Sequence, residues 1–229
     1  EVIAEDTLRE NKDKKMKIRE KWSNPYAVLG LGCLLGSLVF VWIYGIDVIK
    51  VTNIAWLLDS SQTEGLWDLT QHYLGWEFYR KSAWHFPLGL MDGIYSDPVS
   101  IVYTDSIPLF AFVCKLLSPL LPAKFQYFGL FELMCYALMG GFGALFVRAF
   151  SKKNSLCLLG AFFFAISPVM QKRAFYHTAL SAHFLLVAAF CLWVWRDVLR
   201  EKGKRYTIHW IVCDDQCIFY TNDFGYLAL

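Results

Sequence analysis

Ala27 to Ile46 is an unbroken run of 20 residues without a charge. In a bilayer every backbone N–H and C=O must be satisfied within the spanning structure, so a run of this length crosses as a helix. It is too long for the apolar core of a signal peptide, and no small-residue cleavage site follows it. It reads as a retained anchor, a first span at about 27–47. Three further apolar segments, at about 125–147, 155–171 and 179–195, repeat the pattern. Apolar residues make up 56% of the chain and charged residues only 18%, which points away from a soluble domain. The sequence predicts an all-α fold, a polytopic transmembrane helical bundle.

A fifth apolar stretch, 107–121, is interrupted by Pro108, Lys115 and Pro119. The basic residues decide whether it counts as a span. Lys and Arg gather in the tail 1–26, in the turn around Arg148, Lys152 and Lys153, and after the last span at Arg196, Arg200, Lys202, Lys204 and Arg205. Only four spans put all three clusters on one side, and the positive-inside rule makes that side cytoplasmic. Residues 50–123 then form one long outer loop, with 107–121 an interfacial or re-entrant helix. The membrane module covers 27–205, and 206–229 reads as an irregular tail, truncated or frame-shifted near 206. A net charge of +2 gives no reason to expect nucleic acid. Cys33, Cys114, Cys135, Cys157 and Cys191 sit in apolar segments and behave as small hydrophobes. Cys213 and Cys217, with His209 and Asp214, match no strong zinc spacing.

The outer loop carries the chemistry. Residues 66–80 read as an amphipathic helix with Leu66, Leu69, Tyr73 and Trp76 on one stripe. Asp68, Gln71, His72, Gly75 and Tyr79 fall on another face at spacings of three and four, so Asp68 and His72 can converge on one ligand. Such a helix would lie greasy side down with its carboxylate and imidazole upward; a merely wet polar face fits the pattern too. In Tyr103-Thr-Asp105-Ser-Ile-Pro108, Asp105 or Ser106 suits an N-cap and Pro108 the first turn. Asp105 beside Asp68 would make a two-carboxylate outer site. Trp76, Trp84 and Tyr103 suit either interface anchoring or stacking on a sugar face. His85, between Trp84 and Phe86, reads as a buried, hydrogen-bonded histidine.

Two more features face the same side. The short loop after the third span holds Lys172, Arg173, His177 and His183. Arg173 suits a phosphate through charge-assisted hydrogen bonds, with the histidines assisting, or a lipid headgroup. Glu132 lies inside the second span, about 10 Å below its outer end at 1.5 Å per residue. An intramembrane acid reads as functional by default.

The strings Asn53-Ile-Ala-Trp-Leu57, Gln71-His-Tyr-Leu-Gly-Trp-Glu-Phe-Tyr-Arg80, Trp84-His-Phe-Pro-Leu-Gly89, Ser100-Ile-Val-Tyr-Thr-Asp-Ser-Ile-Pro-Leu109, Phe125-Gln-Tyr-Phe-Gly129 and His177-Thr-Ala-Leu-Ser-Ala-His183 resemble an uncharacterised family of bacterial polytopic membrane proteins. That family is similar in architecture to GT-C glycosyltransferases such as protein O-mannosyltransferases and oligosaccharyltransferases. The resemblance implies an inner-membrane, multi-pass enzyme with a cytoplasmic N-terminus. It would move a sugar from a polyprenyl-phosphate carrier to a hydroxyl acceptor, on a glycan or a protein, at the outer face. Asp68 corresponds to the catalytic base. Asp105 begins the second motif, but Ser106 and Ile107 replace its middle, so no histidine role carries over there. Trp67 stands before Asp68 where those enzymes usually have Gly, and the resemblance also implies further spans beyond 205.

On this reading Asp68 takes the acceptor's proton, oriented by His72, with Asp105 alongside. Gln71, Trp76, Trp84 and Tyr103 contact the sugar, and Arg173, His177 and His183 offset the charge of the departing lipid phosphate. A divalent cation, magnesium or manganese, on Asp68 and Asp105 is the candidate cofactor. The rival class is a transporter or flippase subunit for a lipid-linked glycan, favoured by Glu132.

Overall fold

A computed structural model of the protein describes residues 24–58, 66–93 and 97–201. The tails and the Cys213–Cys217 cluster lie outside these residues, as does the side chain of Leu66.

The first span is helix α1, Pro25–Tyr44. Asn24 caps it: its Oδ1 accepts from the Tyr26 amide at 3.0 Å, and Pro25 takes the first turn, where a missing N–H costs nothing. Gly45, at φ +80°, ends it in the left-handed conformation, and its N–H donates to Val41 O at 2.9 Å. The span thus begins two residues before the sequence expectation and stops three residues short of it. Phe128–Phe150 forms the second apolar helix. The third apolar segment, Asn154–Arg173, is not one helix. It runs Asn154–Ala165, breaks at Ile166-Ser167, and resumes at Pro168–Arg173. Pro168 has no N–H to continue the ladder, and Gln171 Nε2 donates to the Ile166 carbonyl at 2.9 Å. The fourth segment, Thr178–Arg196, starts with a 3₁₀ turn at Thr178–Ser181 before the helix Phe184–Glu201.

The described residues form two compact units. The first comprises 24–36, 137–165 and 184–201. Small residues set its packing: a Cβ on Gly140 would strike Gly32 O and Gly36, and one on Gly32 would strike Gly140 O. Helices meet this closely in lipid only where side chains are absent. Val28, Ala144, Cys157 and Ala161 fill its core.

The second unit comprises 37–58, 66–93, 97–136 and 166–183, and holds the long loop. Its axis is α3, Leu66–Lys81 (α2 is the single turn Ala55–Leu58). Trp76, fully buried, packs edge-on against Tyr127 and Phe125 and donates from Nε1 to Phe125 O at 3.0 Å. Arg80, near the end of α3, donates to the carbonyls of Ser118, Leu121, Pro122 and Ala123 and to Ser118 Oγ, which ties down the turn after α4, Pro108–Leu116. Two short strands, β1 (Leu90–Met91) and β2 (Val99–Ser100), pair antiparallel with Leu90 opposite Ser100. This ribbon is absent from the all-α expectation. The helix expected over 107–121 is shorter, ending at Leu116 before a 3₁₀ turn at Ser118–Leu120.

Candidate functional site

In α3 both faces of the helix are covered. Leu69, Tyr73 and Trp76 are buried, and so are His72 and Tyr79; Gln71, Leu74 and Phe78 face out. The expectation of a wet face carrying His72 is therefore wrong. The reason is the segment 101–107, which lies against that face. Gly75 allows this contact: a Cβ there would overlap the side chains of Thr104 and Ser106. Ser106 Oγ donates to His72 O at 2.6 Å and shares a 2.7 Å hydrogen bond with Thr104 Oγ1. Tyr127 OH donates to Ser106 O. Gln71 Nε2 reaches Tyr103 O at 3.3 Å.

This packing bends the chain sharply at the second motif. Asp105 and Ile107 both sit at φ 51°. A β-branched residue in the left-handed region is a genuine outlier, and such strain persists only where the surroundings over-determine it. Asp105 is thus not the N-cap of α4. It ends the 3₁₀ turn Ile101–Thr104, and Ile107, without a capping side chain, precedes α4. Pro108 takes the first turn as expected.

The turn aims Asp105 at His72, with Oδ2 3.6 Å from Nε2. That spacing is too long for a hydrogen bond. It is an ion pair only if the imidazole is charged, and burial lowers the His72 pKa to about 4. At neutral pH the contact is therefore between a neutral ring and a carboxyl group. Nδ1 lies 3.3 Å from Thr178 Oγ1. A tautomer with the proton on Nε2 points it toward Asp105 and lets Nδ1 accept from the Thr178 hydroxyl. Burial raises the Asp105 pKa and Asp68 adds to this, while His177 and the Ala179 amide oppose it. Asp68 also acts on His72, together with His177. The structure thus brings Asp68, His72, Asp105 and His177 within electrostatic range. His72 faces Asp105 rather than Asp68, and among the described residues Asp68 has no hydrogen-bond partner. Thr178 was invisible to sequence reasoning, being 106 positions from His72; the signal was its place inside the string His177–His183.

Other expected residues lie elsewhere. Trp76 is core and offers no sugar face. Trp84, half exposed, packs edge-on to Phe112 and under the Lys115 ammonium, 4.6 Å from its ring centroid. It follows the far end of α3, about 20 Å along the axis from Asp68. Tyr103 is exposed and contributes its carbonyl to Gln71. His85 is only partly buried and meets Asp92 at 2.6 Å, and with the Ala83 amide it holds the Asp92 pKa down. Arg173 lies within electrostatic reach of His183, whose buried Nδ1 has no hydrogen-bond partner among the described residues. Among the described residues no group of three or more His, Cys, Asp or Glu side chains could hold a metal ion. No step below uses a magnesium or manganese ion.

Four helical segments, Pro25–Tyr44, Phe128–Phe150, Asn154–Arg173 and Thr178–Arg196, are long and apolar enough to cross a membrane. The chain is by class a predominantly helical protein whose apolar helices suggest association with the lipid bilayer. It belongs to the family described as a domain of unknown function, DUF6311, which matches residues 33–217. No curated protein and no solved structure gives a match.

Proposed function

We propose that the chain is the site-bearing module of a membrane glycosyltransferase of GT-C type. It would move a sugar from a polyprenyl-phosphate carrier to a hydroxyl acceptor on the outer face of a bacterial inner membrane. The observation that carries this reading is an uncommitted carboxylate, Asp68, beside a buried neutral imidazole and a second carboxyl group. Asp68 is only partly buried and lacks a hydrogen-bond partner among the described residues, which leaves its carboxylate oxygens open to an acceptor hydroxyl. The acceptor oxygen bonds to the anomeric carbon as its proton passes to Asp68. The bond from that carbon to the carrier phosphate breaks, and the phosphate leaves with the electron pair. Thr178 and Asp105 position His72 from either side of the ring, and Arg173 is the candidate contact for the carrier phosphate. Thr178, directly after the turn 174–177, meets the long loop at His72. Two loops that follow odd-numbered spans must share a side, so this contact supports the four-span topology.

The test uses the full-length protein, purified, with polyprenyl-phosphate sugars and hydroxyl acceptors. Asp68→Asn should cut transfer roughly 10²–10⁴-fold while insertion and abundance hold. Equal transfer by wild type and Asp68→Asn removes Asp68 as base. Carrier translocation with no transfer product from wild type favours the flippase reading, which the buried Glu132 supports.

A further inference from the structure

Glu132 is the one acidic residue of the described membrane-spanning helices that sits wholly out of solvent, at 0% exposure. It lies about 6 Å from the start of the helix Phe128–Phe150, nearer that end than the sequence expectation. Among the described residues neither carboxyl oxygen has a hydrogen-bond partner. The Ser181 hydroxyl and the Phe175 amide are its nearest donors, yet both stand outside hydrogen-bonding geometry, and Ser181 Oγ is itself buried without a partner. Phe175 turns its amide there from a left-handed conformation, φ 64°. Its ring closes an aromatic wall with Phe40, Tyr44 and Trp56. Tyr44 and Tyr136 hydroxyls share a 3.1 Å hydrogen bond beside the carboxyl group.

Among the described residues the groups around Glu132 include no cation. They are Asp105 from the 101–107 turn, Tyr44 from α1, Cys135 and Tyr136 from its own helix, and Ser181 from the 3₁₀ turn. An ionised carboxylate sealed among aromatic rings and facing a second acid would be uncompensated, a state that costs far more than binding one proton. A carboxylic acid, by contrast, carries one donor and matches the idle oxygen of Ser181. We propose that Glu132, with Ser181, is a proton-binding site within the membrane-spanning part of the chain, within electrostatic range of Asp105. The proposal is independent of the sugar-transfer reading. It gives Asp105 a neighbour that takes up and returns a proton away from bulk water.

Dicyclohexylcarbodiimide tests it. This apolar reagent takes the proton of a carboxylic acid and bonds to its oxygen, leaving a stable acylurea after rearrangement. The full chain in lipid is treated at neutral pH, and the adduct is mapped by mass spectrometry. Glu132 should carry label, and added sodium should not protect it. Infrared spectra should show a carboxylic C=O band that disappears in Glu132→Gln. If that variant does not insert, Ser181→Ala serves: it should shift the band, because it removes the polar side chain nearest the acid. Absence of both label and band in wild type overturns the proposal. Protection by sodium at constant pH overturns it in favour of a metal-cation site.

Discussion

The burial of His72 sets a pH dependence that can be worked out in advance. In the unfolded chain an imidazole titrates near 6.5; in the folded protein His72 does so at about 4. Above 6.5 both states are neutral and the folded state keeps its full advantage. As pH falls below 6.5 the unfolded chain binds a proton that the folded protein refuses, so stability drops until about 4, where the folded ring also protonates. The loss integrates to about 3 kcal/mol over that window. Asp105 acts with the opposite sign: its raised pKa means that the folded state takes a proton first and gains stability as pH falls. The comparison that isolates His72 is therefore wild type against His72→Gln, which keeps a polar group and cannot titrate, with Asp105 present in both. Equilibrium unfolding in mixed micelles, followed across the acid range, supplies the difference. Wild type should converge on, or fall below, the variant as pH drops through the window. Parallel curves would refute a buried neutral His72 and with it the tautomer in which Nδ1 accepts from Thr178.

Two other outcomes follow from the packing. Gly75→Ala should destabilise the protein by about 1–3 kcal/mol through overlap with Thr104 and Ser106, and Thr104→Gly should restore part of that loss; additive losses in thermal unfolding would show that the contact is not as described. In a variant lacking native cysteines, a membrane-impermeant thiol reagent on intact cells should label Asp97→Cys and spare Lys152→Cys, and the reverse result would invert the proposed topology.

Hydropathy and charge made the four apolar segments legible to within a few residues, because bilayer thickness fixes span length whatever the packing. The bounds of α3 were legible as well. Its orientation was not, since periodicity separates the faces of a helix without saying what covers each. His72 and Tyr79 looked solvated because nothing local announces that residues 101–107 lie against His72, or that Leu88 and Lys115 meet Tyr79. The same gap misassigned Asp105. Asp-Ser before Pro is a sound capping signal, but the contacts of Ser106 with His72 and Tyr127 pull the chain into the left-handed region instead. Trp76 shows the reverse failure: an aromatic ring suited to a sugar is also suited to a core, and its neighbours Phe125 and Tyr127 claimed it. The partnership of His72 and Thr178 spans too much sequence for any local pattern to report.

Gln126 closes the loop at its neck. Its amide N–H donates to Val51 O at 2.8 Å, its side chain donates to the carbonyls of Val48 and Lys50, and its own oxygen accepts from the Gly129 amide. The chain leaving one apolar helix is thereby clasped to the chain approaching the next, and everything from 52 to 125 hangs from a fixed gate. A ring pinned in this way can grow without spreading its supports, at about 0.6 kcal/mol for each doubling of length. The exposed stretch at Asp97-Pro98 is therefore a grafting point, where a tag, an epitope or a sensor domain can be spliced while both helices stay seated.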